Sequence, residues 1–205
     1  MDLLSIALPF AIVLLSLTIH EAAHAWSADR LGDPTARLLG RISLNPARHI
    51  DPIGTILLPL IAAYSGLPII GWAKPVPVNV SRLRRGRRDF MLVAAAGPAS
   101  NLLQALIASL VLRGLLSSGT ASALSLNICV TYVVINLLLA FFNLIPIPPL
   151  DGGNVLAGLL PHSADPLIAF LRQWGFVVLY ALMLTGMLNA IIEPPTAFFQ
   201  RILVP

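Results

Sequence analysis

The sequence predicts an all-α polytopic membrane protein: four spanning helices, a re-entrant hairpin, and short edge β-strands. Three observations lead there. Hydrophobic residues make up 57% of the 205 and charged ones 11%, with mean hydropathy +0.86. Soluble domains hold roughly 45–50% apolar and about 25% charged residues. That balance excludes a soluble globule, and it excludes a disordered chain, which needs few apolar residues. Second, four runs are long and apolar enough to cross a bilayer, which takes about 20 residues each. Third, the basic residues cluster between those runs. A sequence pI near 10.0 would point to nucleic acid in a soluble protein. Here the arginines set membrane orientation instead, and no nucleic-acid partner is expected. The single cysteine, Cys129, excludes an internal disulfide and a zinc site built from several thiolates.

The first run, 3–26, ends in His20, Glu21 and His24. It lacks a basic start, and a removed leader would not carry three ionisable residues, so it reads as mature chain. The second run, 90–116, is uncharged but for Arg113; 123–146 and 176–192 carry no charge. A fifth stretch, 53–72, is apolar but interrupted by Pro59 and by Ser65-Gly66-Leu67-Pro68. Before it lie Arg30, Arg37, Arg41 and Arg48; after it lie Lys74, Arg82, Arg84, Arg85, Arg87 and Arg88. A full crossing would put these two basic segments on opposite sides, against the positive-inside rule. A re-entrant hairpin keeps both in the cytosol, and such hairpins are tolerated where protein buries them. The alternative is a fifth or sixth helix.

The topology then closes. The N-terminus is outside, the first and third helices run inward, and the second and fourth run outward. Trp26, Trp72 and Trp174 fall at the cytosolic boundary, where indole rings prefer to sit. Between the membrane segments, 38–44 and 76–80 read as strands, the first bounded by Gly32-Asp33-Pro34 and Asn45-Pro46. The chain reads as one domain, 1–205, with a core over 3–157 and a C-terminal helix over 168–192. It is expected to be multi-pass in the cytoplasmic membrane, with its site in the cytosolic half.

The chemistry sits at the end of the first helix, in His20-Glu21-Ala22-Ala23-His24. Two histidines four residues apart share one helix face. They can grip one Zn²⁺, with the intervening glutamate beside the water that the metal activates. Ionisable groups in a membrane segment are costly and mark function by default. The bland alternative is a solvated helix end.

A catalytic zinc takes three protein ligands. Glu193 is the only other glutamate and falls at the far end of the last helix; the position six after His24 is Arg30. Asp29, Asp33, His49, Asp51, Asp151, His162 and Asp165 remain. Asp151 stands out by context, in Asn143-Leu-Ile-Pro-Ile-Pro-Pro-Leu-Asp151-Gly-Gly. Three prolines there must break a helix at membrane depth, which is expected only around a site or cavity. Capping the next helix is its bland alternative.

HEAAH together with NLIPIPPLDGG resembles the site-2 protease family of intramembrane zinc metallopeptidases. Gly97-Pro98-Ala99-Ser100-Asn101 is similar to that family's GPxxN element. The stretches LGDPTARLLGRISLNPARHIDPIGTILLP and GWAKPVPVN resemble its compact bacterial branch, without PDZ or CBS domains. The resemblance covers most of 10–157. It implies His20, His24 and Asp151 as ligands of one Zn²⁺ per chain and Glu21 as general base and acid. It also implies regulated cleavage of peptide bonds in or near the transmembrane segments of membrane-protein substrates.

Asn101 and Asn143 are polar groups in apolar helices. Each could contact substrate or the tetrahedral oxyanion, or make an interhelical hydrogen bond. Gly97 and Pro98 read as a close packing point and a kink. Hydrolysis needs an extended substrate, and 38–44, with 74–79 second, could hold one by strand addition. His49 and Asp51 read as ligand-orienting or loop residues. Arg82 to Arg88 read as an inner-leaflet charge cluster facing the lipid bilayer. Two rival functions remain: a membrane metal-binding or transport protein, and a catalytically silent scaffold that binds membrane segments.

Overall fold

The computed structural model describes residues 3–58, 61, 64 and 73–205. Helices dominate: α1 (Leu3–Arg30), α2 (Thr35–Leu38), α3 (Arg87–Ser117), α4 (Ala123–Asn143), α5 (Asp151–Leu159), α6 (Asp165–Leu184) and α7 (Met187–Leu203). Four helical stretches are long and apolar enough to cross a membrane: Ala7–Arg30, Arg87–Ser117, Ala123–Asn143 and His162–Leu184.

Each helix end has a local cause. At the end of α1, Gly32 takes φ +114°, and Asp33 N–H reaches back to the Ala28 carbonyl at 2.9 Å, closing the helix in the manner of a glycine C-cap. Gly86, at φ +48°, precedes α3. In its first turn Asp89 is fully buried and accepts from Arg85 N and Nε, each at 2.8 Å. Ser122 and Ser125 cap α4 reciprocally. The prolines at 146, 148 and 149 keep α4 from continuing, and it ends at Asn143, three residues short of the expected 146.

The core is α1, α3 and α4 packed side by side, with α5 docked on α3 and α7 on α4. Ala105, Val133 and Leu137 are fully buried between α3 and α4. Ile145, Leu150 and Ile192 form a second cluster that joins the proline loop to α7. α5 turns back tightly onto that loop: a Cβ on Gly152 would collide with the Leu144 carbonyl, and one on Gly153 with Pro148.

Three expectations are corrected. The fourth span is not 176–192. It starts with α6 at Asp165 and stops at Leu184, because Gly186 at φ +75° turns the chain. The single C-terminal helix expected over 168–192 is therefore two helices. Glu193 does not lie at a remote end: its neighbour Ile192 packs with Ile145 and Leu150, beside the proline loop.

The edge strands do not form among the described residues. Leu38 closes the helical turn α2, and 41–45 and 73–79 have no ladder partner. Side chains and isolated bonds tie these segments together instead. Asp33 accepts from Thr35 N at 3.1 Å, Thr35 Oγ1 at 2.5 Å and Asn79 N at 2.6 Å. Arg41 Nη2 donates to the Lys74 carbonyl, and Lys74 N donates to the His49 carbonyl at 2.8 Å. Most of the expected hairpin, including Pro59 and Trp72, lies outside the described residues. Its beginning, Pro52–Leu57, is a π-helical turn capped by Asp51. Trp26 and Trp174 are both half exposed, and the Arg30 guanidinium sits 5.2 Å from the Trp26 ring.

Candidate metal centre

Ser16, His20 and His24 follow at intervals of four on one stripe of α1, and that stripe faces α3 and α4. The two imidazoles are buried, and their Nε2 atoms lie 3.0 Å apart. Asp151, the first residue of α5, brings Oδ2 to 3.1 Å from His20 Nε2 and 3.3 Å from His24 Nε2. The structure thus gathers three of the residues singled out in the sequence. Among the described residues this is the one cluster of His, Cys, Asp or Glu able to hold a metal; its ligand atoms all lie within 4.8 Å of one another.

Hydrogen bonding sets where the imidazole protons are. Asn136 Nδ2 donates to the backbone carbonyl of Tyr132 at 3.0 Å and to Ser16 Oγ at 2.9 Å. A carbonyl only accepts, so that end of Asn136 is its nitrogen. Its oxygen then accepts from Asn101 Nδ2 at 2.8 Å. Asn101 Oδ1 therefore faces His20 Nδ1, at 2.6 Å, and His20 must donate there. His24 Nδ1 donates to the Val93 carbonyl at 2.7 Å. With both Nδ1 atoms protonated, neutral rings present bare lone pairs at Nε2. Those lone pairs converge on each other and on Asp151 Oδ2, which is buried with no hydrogen-bond donor. Three converging electron pairs without a proton among them fit a cation. The donor set, two imidazoles and a carboxylate, suits zinc.

Gly97 makes the room. A Cβ at that position would collide with the Nε2 atoms of both His20 and His24. Glu21, one residue along α1, is also buried; its Oε2 accepts from Val76 N at 3.2 Å. The extended segment 73–79 thus passes over the carboxylate.

The other sequence candidates are accounted for elsewhere. Asp29 pairs with Arg37 at 2.8 Å. Asp33 clamps the loops. Burial pushes its carboxyl upward, but hydrogen bonds from Thr35 and Asn79 outweigh burial and hold it below the usual range. His49 is buried with Nε2 on the Ser43 carbonyl at 2.8 Å, and Asp51 caps the turn after it. His162 and Asp165 meet Arg87. Glu193 is exposed on α7.

Of the two tentative substrate contacts, Asn101 takes the interhelical role: both ends of its amide are committed, one to His20 and one to Asn136. Asn143 Nδ2 bonds to the Leu139 carbonyl of its own helix at 2.9 Å, away from this network. Sequence reasoning assigned no role to Ser16, Asn136 or the Val93 carbonyl. A signal existed for two of these: Ser16 lies four before His20, and Asn136 is one of three asparagines, with Asn127 and Asn143, in a charge-free helix.

Comparison with known proteins gives the family. The sequence model of peptidase family M50 matches residues 115–186, which include Asp151. The chain is 37% identical over 194 residues to YwhC of Bacillus subtilis, covering 91% of this chain and 85% of that one. The name of that protein places it among the zinc metalloproteases.

The chain belongs to peptidase family M50.

It is also 32% identical to the Rip2 proteins of Mycolicibacterium smegmatis and Mycobacterium tuberculosis, whose names likewise place them among the zinc metalloproteases. Those matches span 86% of this chain and 66% of theirs. No solved structure matches. Family membership makes this a multi-pass membrane zinc metallopeptidase of the site-2 protease type and sets the transport and scaffold readings aside.

Proposed function

We propose that this M50 peptidase hydrolyses peptide bonds in or near the transmembrane segments of membrane-protein substrates, as a step in regulated intramembrane proteolysis. The carrying observation is the meeting of His20, His24 and Asp151 beside buried Glu21, in the last third of an apolar helix long enough to span. In this reading His20, His24 and Asp151 hold one Zn²⁺. When bound there, zinc polarises the scissile carbonyl and makes a nearby water acidic enough to attack. Glu21 is the general base that takes the proton and delivers it to the leaving amine. The Asn101–Asn136–Ser16 chain fixes the His20 ring, and the Val93 carbonyl fixes that of His24. Asn143, on the same helix as Asn136, is the candidate contact for the substrate carbonyl.

The substrate must be unwound to expose its carbonyls. Segments 38–44 and 74–79 are proposed to receive it by strand addition. Two features support this: Leu38, Leu39 and Leu44 are strongly exposed, and the Val76 N–H already points at Glu21. Stretch 53–72 is read as re-entrant. The bond between Lys74 N and the His49 carbonyl supports a return to its starting side, since a straight 20-residue helix would separate its ends by about 30 Å. The chain is placed in the cytoplasmic membrane with its site in the cytosolic half, as the arginine-rich segments favour.

The test is zinc content and cleavage of a panel of single-pass membrane segments by detergent-purified protein. Glu21→Gln should keep one zinc and lose cleavage; Asp151→Ala should lose both. Full cleavage by Glu21→Gln would remove the proposed base, and zinc retention in Asp151→Ala would remove the third ligand.

A further inference from the structure

At the first turn of α3 a second feature is built from other residues. α3, α5 and the start of α6 line a half-open cavity of about 930 Å³. None of His20, Glu21, His24 or Asp151 lines it. Pockets for small organic ligands run to roughly 300–1,000 Å³, so this volume suits a molecule larger than a lone inorganic ion.

Its charged lining is Arg87 and Arg172 against one carboxylate, Asp165, with His162 beside it. Arg87 is fixed: Nε donates to the Ala157 carbonyl and Nη1 to Asp165, close to His162 Nδ1. Its Nη2 is buried with no partner. A buried donor left unsatisfied is costly, and more so when charged. Arg172 lies seven residues after Asp165 on the same face of α6. It makes no hydrogen bond or ion pair among the described residues. Asn154 and Gln173 add amides, while Phe90 and Ile168 make part of the wall apolar. Two guanidinium groups against one carboxylate leave the lining net cationic, with Arg172 the unpaired charge, and call for an oxyanion that can accept several hydrogen bonds.

The surroundings choose the source of that oxyanion. Arg87 opens a spanning helix, which puts the cavity at headgroup depth. Arg82, Arg84, Arg85 and Arg88 flank it in sequence. Leu167, Phe170 and Trp174 of α6 are half exposed, an apolar surface that acyl chains would cover. Basic pockets between spanning helices at the membrane face take anionic headgroups.

We infer that this cavity binds one anionic phospholipid, its phosphate held between Arg87 and Arg172 and its chains laid along the exposed face of α6. The occupant would touch Asn154 and Ala157 of α5, the helix whose first residue is Asp151.

The test uses the full chain in nanodiscs of phosphatidylcholine mixed with phosphatidylglycerol, with retained lipid identified by native mass spectrometry. Wild type should keep one phosphatidylglycerol per chain. Arg172→Gln, at an exposed position that should not disturb folding, should lower its preference for phosphatidylglycerol about fivefold. Arg88→Gln, at the same depth but outside the cavity, should not change it; Arg87→Gln should match or exceed Arg172→Gln. Equal losses in Arg172→Gln and Arg88→Gln, or no loss in either, would reduce the effect to diffuse surface attraction and overturn the site. Displacement by inorganic phosphate as readily as by short-chain phosphatidylglycerol would make the occupant a soluble phosphate and overturn the lipid assignment.

Discussion

α1, α3 and α4 bury polar side chains and give nearly all of them partners, whereas α6 and α7 bury almost none. On the first three helices Ser16, Thr18, His20, Ser27, Asn101, Ser109 and Asn136 are all buried and all hydrogen-bonded. On the last two, Thr196 is buried and its hydroxyl has no partner; otherwise they bury only Ile168, Gly175 and Ile192. In lipid a buried polar group is retained where it serves structure or chemistry. The comparison therefore separates a region in which single atoms decide the metal site from one that apolar packing holds in place. Substitutions in the first should cost metal; substitutions in the second should cost a little stability and no metal.

The largest effect is expected at Gly97. Gly97→Val should fold, because the helix tolerates the residue, yet hold about a tenth of the zinc or less, since its branches would occupy the space of both imidazoles. Zinc content by mass spectrometry, beside a melting curve, checks this. Normal zinc in a folded Gly97→Val chain would mean that the histidines are not where the geometry puts them.

Next comes the amide chain. Asn101→Leu should weaken zinc binding about 10–100-fold by freeing the His20 ring. Asn136→Leu should act in the same direction but less, because Asn101 would keep its bond to His20. The two act through one chain, so the double variant should fall short of their summed effects. Zinc titrations against a competing chelator measure all three. Full additivity would break the proposed relay from the Tyr132 carbonyl to His20.

This contrast also explains what was legible from the residues alone. His20, Glu21, His24 and Asp151 stood out because charge and proline are anomalous in apolar runs. The spans over α1, α3 and α4 stood out because a 20-residue apolar run has few other uses. The relay did not stand out, since pairing Asn101 with Asn136 depends on how α3 and α4 rotate against each other, and no single helix records that. The strands read over 38–44 and 76–80 do not form among the described residues, because a short segment bounded by turns needs a ladder partner that its own sequence does not supply. The C-terminal boundary was missed for a related reason: hydropathy runs unbroken through 176–192, and one glycine with positive φ divides it.

A smaller effect tests the loops beneath the site. Asp33→Asn removes a charge that accepts three hydrogen bonds and should destabilise the fold by about 1–3 kcal/mol at neutral pH. The folded carboxyl titrates below its ordinary value, so its contribution is complete above the unfolded pKa and fades as pH falls through the folded one. The gap in melting temperature between wild type and Asp33→Asn should therefore be largest near neutrality and close below about pH 4. A gap that widens on acidification would contradict the sign. Zinc content at pH 7 should stay at one per chain in both.

The smallest effect belongs to the other side of the comparison. Gly186 holds φ +75° between α6 and α7, and a Cβ there would meet nothing within 4 Å. The cost of Gly186→Ala is thus purely conformational: an L-residue in the left-handed region loses about 1 kcal/mol. For a chain of this size that lowers the melting temperature by roughly 2–4 °C. Neither helix supplies a ligand or a member of the amide relay, so zinc affinity should not move. A loss of zinc in Gly186→Ala would show that α7, through Ile192 against Ile145 and Leu150, sets the position of Asp151 one residue further on. The two regions would then be one mechanical unit, and the division drawn from their buried polar groups would fail.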